Sequence, residues 1–279
     1  KPQVWQDFLR PDVSQVAFDV ACGSKCPISW HIETDCPWMQ FSCTGGTVAE
    51  NQRVTLTIDR SQITGKAAGQ FAVVNEHIQE GTGAANIIVE VDNTPVSYPK
   101  GTFVEANGCI AMEAQHYTAK RDVPGGGFAL LKPYGRLGTA LKVFPATANF
   151  ENSEERPYLE YTFAAAKDGD YHVQFHMSAT TPVTFEPKQY IGYSVNGGAV
   201  SVVNTVHEEN RPFFGSEQWY AEGFANVKLT EAMIPCHAGI NTLRFYAVSP
   251  AIILEKIVLW PDGTTLPESY LGPRESYRC

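Results

Sequence analysis

The sequence predicts an all-β protein of two domains, a small immunoglobulin-like β-sandwich followed by a larger, jelly-roll sandwich. Three observations predict it. Apolar residues recur with period two, in short runs rich in Val, Ile, Phe and Tyr. Pairs such as Gly45-Gly46, Asp168-Gly169 and Asn196-Gly197 separate the runs. Near residue 95 a stretch with Pro95 and Pro99 breaks the rhythm. Successive side chains of a strand point to opposite faces, so period two marks half-buried strands, and Gly, Asp and Asn supply the backbone conformations that tight turns need.

Taken in chain order, Val16–Val20, Ile28–Ile32, Met39–Phe41, Val54–Ile58, Phe71–Val74 and Ile87–Val91 read as strands. With turns between them they make a sandwich over residues 1–94. Residues 95–101 form the linker, where proline and glycine replace the alternation. The rhythm resumes over residues 102–279 with Gly108–Glu113, Thr139–Phe144, Tyr158–Phe163, Tyr171–Met177, Tyr190–Val195, Val200–Val203, Asn241–Tyr246 and Ile252–Leu259. These fit a second sandwich of jelly-roll type. Asn210–Ile234 is irregular, with a helical turn expected around Glu217–Asn226. Trp30, Trp38 and Trp260 stand in strand-like or turn contexts and read as core.

Composition narrows the function. With 43% hydrophobic and 18% charged residues, the 279-residue chain can bury real cores. A net charge of -9 without a Lys/Arg cluster removes the electrostatic footprint of nucleic-acid and anionic-membrane binding. No apolar run reaches the roughly 18 to 20 residues that span a bilayer. Seven cysteines, four of them (Cys22, Cys26, Cys36, Cys43) close together, point to disulfides and a secretory environment. The spacings lack the paired C-x2-C rhythm of zinc sites, which is the competing reading. Cys109 and Cys236 are further disulfide candidates, and with Cys279 the total is odd.

Catalytic signatures are missing: there is no G-x-S-x-G elbow, H-E-x-x-H, phosphate loop or dinucleotide fingerprint. His172 and His176 fall at even spacing on one strand and read as core or surface histidines rather than metal ligands.

Two stretches carry a family resemblance: Phe103-Val-Glu-Ala-Asn-Gly-Cys-Ile-Ala-Met-Glu-Ala-Gln-His-Tyr117, and the ending Ser269-Tyr-Leu-Gly-Pro-Arg-Glu-Ser276. Together with Leu141–Thr147, Pro157–Tyr161 and Ala238–Pro250, they resemble the C-terminal domain of glycoside hydrolase family 115, the xylan α-1,2-glucuronidases. The resemblance covers about residues 95–276; the first domain resembles the small module before it through strand patterning only. In that family the catalytic acids lie on a (β/α) barrel, for which this β-patterned chain has no room. The resemblance therefore implies a non-catalytic region of a secreted enzyme, binding or orienting xylan or glucuronoxylan. Its implied partners are the parent's barrel and a second copy in a dimer. The competing expectation is a purely structural module for dimerisation and docking.

Met112–Tyr117 is also similar to the opening of carbohydrate-binding modules of families 6 and 35, in which an early Glu and a late Asp hold calcium. By that likeness Glu113 and Asp262 would hold the ion, although Gln115 stands where a second acid is expected. Sugars stack on exposed aromatic rings with polar neighbours at their hydroxyls. The candidate residues are Arg211, Phe213, Phe214, Gln218, Trp219 and Tyr220 in one segment, with Tyr134 and Arg136 in another.

Overall fold

The computed structural model describes residues 2–23, 25–76, 83–183, 186–206, 215–266 and 269–279. It divides into two compact units, Lys1–Val96 and Ser97–Cys279. Among the described residues no helix is long and apolar enough to cross a membrane.

The first unit holds β1 (Gln3–Trp5), β2 (Gln15–Ala21), β3 (Ile28–Glu33), β4 (Met39–Phe41), β5 (Gly45–Val48), β6 (Asn51–Ile58), β7 (Gly65–Asn75) and β8 (Ala84–Asn93). They form one sheet of order β1-β8-β7-β3-β5 and a second of order β2-β6-β4, with β1 parallel to β8. This is an immunoglobulin-like sandwich. Alternation decides which side chains meet between the sheets: Val54, Leu56 and Ile58 of β6 are buried while their neighbours are not. Phe71 centres the core, with the rings of Phe41, Trp5 and Phe18 at 5.0, 5.5 and 5.7 Å. Such offset and edge contacts suit the ring quadrupole.

The second unit holds β9 (Phe103–Val104), β10 (Ile110–Glu113), β11 (Ala119–Arg121), β12 (Gly127–Leu131), β13 (Ala140–Phe144), β14 (Tyr158–Ala165), β15 (Gly169–Met177), β16 (Tyr190–Val195), β17 (Ser201–Asn204), α1 (Glu217–Ala225), β18 (Lys228–Cys236), β19 (Gly239–Ala247) and β20 (Ile253–Pro261). One sheet runs β12-β13-β20-β15-β18, with β10 also on β20; the other runs β11-β14-β19-β16-β17, with β9 also on β14. Between them lies a core containing Leu159, Tyr161, Phe163, Val173, Phe175 and Phe245.

A β-bulge in β20 shapes the outer face of the first of these sheets. His176 pairs with Lys256 but Met177 pairs with Leu254, so Glu255 has no partner of its own on β15. Leu254, Ile257 and Leu259 therefore enter the core, while Glu255 and Lys256 share the outward side. Downstream of the bulge every side chain changes face relative to a simple alternation from Leu254.

Expected disulfides meet an obstacle in this unit. Cys236 belongs to the sandwich core, whereas Cys109 packs outside the sheet with Ala111 and Val258. A sheet separates the two thiols, so they form no bond. Burial pushes both thiols up to about 12. In the first unit Cys36 and Cys43 are also unbridged; Cys36 packs on the Phe71 core and Cys43 on a satellite cluster with Cys22 and Trp30. The Cys22 thiol donates to the Cys26 carbonyl at 3.2 Å.

Candidate functional site

The outer face of β15 and β20 carries a groove of about 830 Å³. His172, Gln174 and His176 of β15 form its floor with Trp260 of β20, because they alternate with the core residues Tyr171, Val173 and Phe175. The walls are Thr264–Leu266 and Ser269–Pro273 on one side and Ala225, Val227 and Leu229 on the other. The His172 and Trp260 rings stack face to face, with centroids 5.1 Å apart and planes 8° apart. Asp262 orients that stack, its Oδ1 lying 3.2 Å from His172 Nε2.

Buried polar groups pin the C-terminal wall to the sheet. Lys256, which the bulge turns outward, donates to the carbonyls of Leu271 (3.0 Å) and Pro273 (2.8 Å). Arg136 donates to the Tyr270 carbonyl and lies 5.4 Å from the Tyr270 ring. Ser276 closes the tail on β10 by a pair of bonds with Ala111. Beneath Arg136 the buried Glu255 carboxylate accepts from the Ser178 hydroxyl at 2.7 Å and the Arg136 amide at 3.2 Å. Gly135 has φ +66° and a Cβ there would lie 2.7 Å from that carboxyl, so only glycine fits the approach. Gly272, at φ +70°, lays its backbone on the His176 ring, 3.1 Å from where a Cβ would stand. The Ser269–Ser276 ending is thus the groove's wall and its latch.

The floor is electrically quiet. His176 Nε2 donates to Gln174 Oε1 at 2.6 Å, and its Nδ1 accepts from Arg136 at 3.1 Å. Burial, with Arg136 and Lys256 adding to it, pulls its pKa down to about 3, so the imidazole is neutral. The Arg136 side chain is only 5% exposed. No Asp or Glu lines the groove among the described residues.

The structure redistributes the residues that the sequence singled out. Arg136 lines the groove, but its guanidinium is committed to the wall; Tyr134 sits in the neighbouring turn and does not line it. Gln218 and Trp219 lie on α1, the expected helix, capped by Ser216, whose Oγ accepts from the Trp219 amide. Gln218 donates to the Thr205 carbonyl and to Glu222, which anchors the helix. Trp219 is half-buried, with Tyr220 edge-on to it at 4.9 Å. Arg211, Phe213 and Phe214 lie outside the described residues. Trp260 is not core, as expected, but half-exposed in the groove, while Trp30 is buried and Trp38 half-buried. The signal for Trp260 lay in the bulge, which no alternation reveals.

Glu113 and Asp262 do not share an ion. Glu113 sits opposite Lys256 on β20, and Asp262 lies six residues further on, roughly 20 Å at ~3.3 Å per residue. Glu113 instead meets His116 and Glu275, with one ligand atom of each within 4.8 Å of the others. Glu275 Oε1 already accepts from His116 Nδ1 at 2.7 Å and from the Glu113 amide at 3.0 Å. Two carboxylates and an imidazole fall well short of the six to eight oxygens calcium takes. These three residues do not by themselves fit calcium.

Residues 102–275 match the model of the glycosyl hydrolase family 115 C-terminal domain. The chain belongs to glycoside hydrolase family 115. It presents that family's C-terminal domain, not its catalytic barrel. No curated protein matches it in sequence. Among solved structures it is similar to a family GH115 4-O-methyl-α-glucuronidase with specificity for decorated arabinogalactans, at 15% identity and TM-score 0.44, over 61% of this chain and 20% of that one. It thus spans about a fifth of that enzyme's length. It is also similar to a family 35 carbohydrate-binding module from Clostridium thermocellum, at 20% identity and TM-score 0.37, over 54% of this chain and 97% of that one. A third is the module CBM6cm-2 from Cellvibrio mixtus lichenase 5A, at 12% identity and TM-score 0.34, over 54% of this chain and 95% of that one.

Proposed function

We propose that this family 115 chain is the non-catalytic accessory region of a secreted xylan α-1,2-glucuronidase, and that it binds or orients glucuronoxylan in the groove on β15 and β20. The observation that carries the reading is the half-exposed Trp260, held by the stacked His172 ring on the floor of a groove rimmed by Thr264, Thr265 and Ser269. A pyranose presents an apolar C–H face to such an aromatic ring and its hydroxyls to the rim. Glycoside hydrolysis takes two carboxyl groups about 5 to 10 Å apart across the bond. The groove's described lining offers none. Cleavage falls to the parent's barrel.

Affinity electrophoresis of the 279-residue chain in gels containing glucuronoxylan, arabinoxylan or unsubstituted xylan tests the reading. Retardation by at least one xylan, with no release of 4-O-methylglucuronic acid, is the expected result. Unretarded migration in all three overturns it.

One observation favours a second reading, a docking or dimerisation module. Helix α1 buries polar groups and exposes aromatic ones: Glu222 lies within 3.7 Å of the buried Lys228 ammonium, whereas Phe224 is 87% exposed and stacks on exposed Tyr220. A helix that turns its rings outward offers a contact surface. Sedimentation of the wild-type chain and of Phe224→Ser separates the readings. A dimer that this substitution dissociates, without xylan retardation, favours docking.

A further inference from the structure

We infer that the groove takes a neutral stretch of a pyranose chain and leaves acidic branches outside; this rests on the glycan reading above and names the part of the polymer it engages. The argument is one of charge and desolvation.

A carboxylate bound in a groove loses water and needs a positive or donating partner in exchange. The cations that line the groove or lie beneath its wall are already committed. Arg136 is buried, bonded to the Tyr270 carbonyl and to His176, and packed over Glu255. Lys256 is 2% exposed and donates to the carbonyls of Leu271 and Pro273. His176 is neutral, held between Gln174 and Arg136. His172 is paired to Asp262.

Two carboxylates flank the floor. Asp262 is 71% exposed beside the His172–Trp260 stack, and Glu231 accepts from Gln174 at the floor's edge. A uronate placed on the floor would meet these carboxylates and find no free cation among the described lining residues. A neutral ring meets neither obstacle: Trp260 supplies an apolar aromatic surface, and Thr264, Thr265 and Ser269 supply neutral hydroxyls. The net charge of -9 acts the same way at long range.

Calorimetric titration of the whole chain with unsubstituted xylo-oligosaccharides, and with the same oligosaccharides bearing one 4-O-methylglucuronic acid, tests the inference. The neutral ligand should bind at least as tightly as the acidic one. Its affinity should stay constant as NaCl rises to about 0.5 M, where charges more than ~5 Å apart are screened. Trp260→Ala should weaken it about 10- to 100-fold, the range for losing a central aromatic contact. Leu229→Lys alters a side chain that is already exposed in the wall, so it leaves packing intact; it should shift the preference toward the acidic oligosaccharide. Tenfold tighter, salt-sensitive binding of the acidic ligand by the wild type overturns the inference while sparing the glycan reading. Binding of neither ligand overturns both.

Discussion

The latch makes a quantitative prediction about Arg136. Its guanidinium lies over a carboxylate that is 1% exposed, with Nε 3.9 Å from Glu255 Oε2. Replacing Arg136 by Met keeps the stem's volume and removes the charge. The Glu255 carboxylate is then left in the sheet with two neutral hydrogen bonds, from Ser178 and the residue 136 amide. Breaking a buried ion pair from one side costs about 3 to 5 kcal/mol. The Nε contact is long and those two bonds remain, so about 3 kcal/mol is the appropriate end of the range. For a domain of this size, one kcal/mol shifts Tm by about 2 to 4 °C, so the second unit should melt roughly 6 to 12 °C lower. Differential scanning calorimetry reads this with an internal control: the first unit's transition should not move. Glu255→Leu alone should also destabilise, whereas the double variant should recover at least ~1 kcal/mol relative to the sum. Strict additivity, or a shift under about 2 °C in Arg136→Met, would refute the account of the latch.

Three further outcomes follow from the same geometry. His176 has a folded pKa of about 3 against 6.5 for the free side chain. The unfolded chain therefore binds the proton first, and its stabilising share, complete above about pH 6.5, is lost as pH falls toward 3. The slope is roughly 1.4 kcal/mol per pH unit in that window; His176→Asn should flatten it for the second unit's transition. Cys109 and Cys236, with thiols pushed up to about 12, should stay unmodified by a thiol reagent at pH 8 in the native chain and react on unfolding, read by intact mass. Gly135→Ala forces a Cβ onto the Glu255 carboxyl from a φ of +66°; it should cost at least ~1 to 2 kcal/mol, whereas Gly138→Ala, at φ +80° with open space around it, should cost only the ~1 kcal/mol of the left-handed backbone.

The folding pattern was readable because most strands obey a single rule. In β6 from Val54 and in β15 from Tyr171 to Phe175 every second residue is buried, and period two finds them. The same rule misleads in β20. Counting by twos from Leu254 sends Lys256, Val258 and Trp260 inward, in line with the expectation of a core Trp260 drawn from its strand-like context. One extra residue at the bulge reverses the count, and Ile257 and Leu259 go inward instead. A bulge is set by how two strands pair across space, and nothing local in Ile253–Pro261 announces it. That single insertion does three things at once. It turns Trp260 out to stack on His172, brings Lys256 beneath the tail it holds, and places Glu255 where Gly135 and Arg136 close over it. The Ser269–Ser276 ending was recognisable as a family mark, but its physical reason is visible only here. Carbonyls of Tyr270, Leu271 and Pro273 receive the two buried cations, Glu275 and Ser276 tie to β10 and the turn after it, and Gly272 passes over His176. Density of aromatics in sequence says nothing about which way a helix faces, and α1 is oriented by Gln218 and Glu222, its polar residues, through Thr205 and Lys228. Polar anchors decide which rings reach solvent, so a search for binding aromatics in such folds should begin from the buried charges.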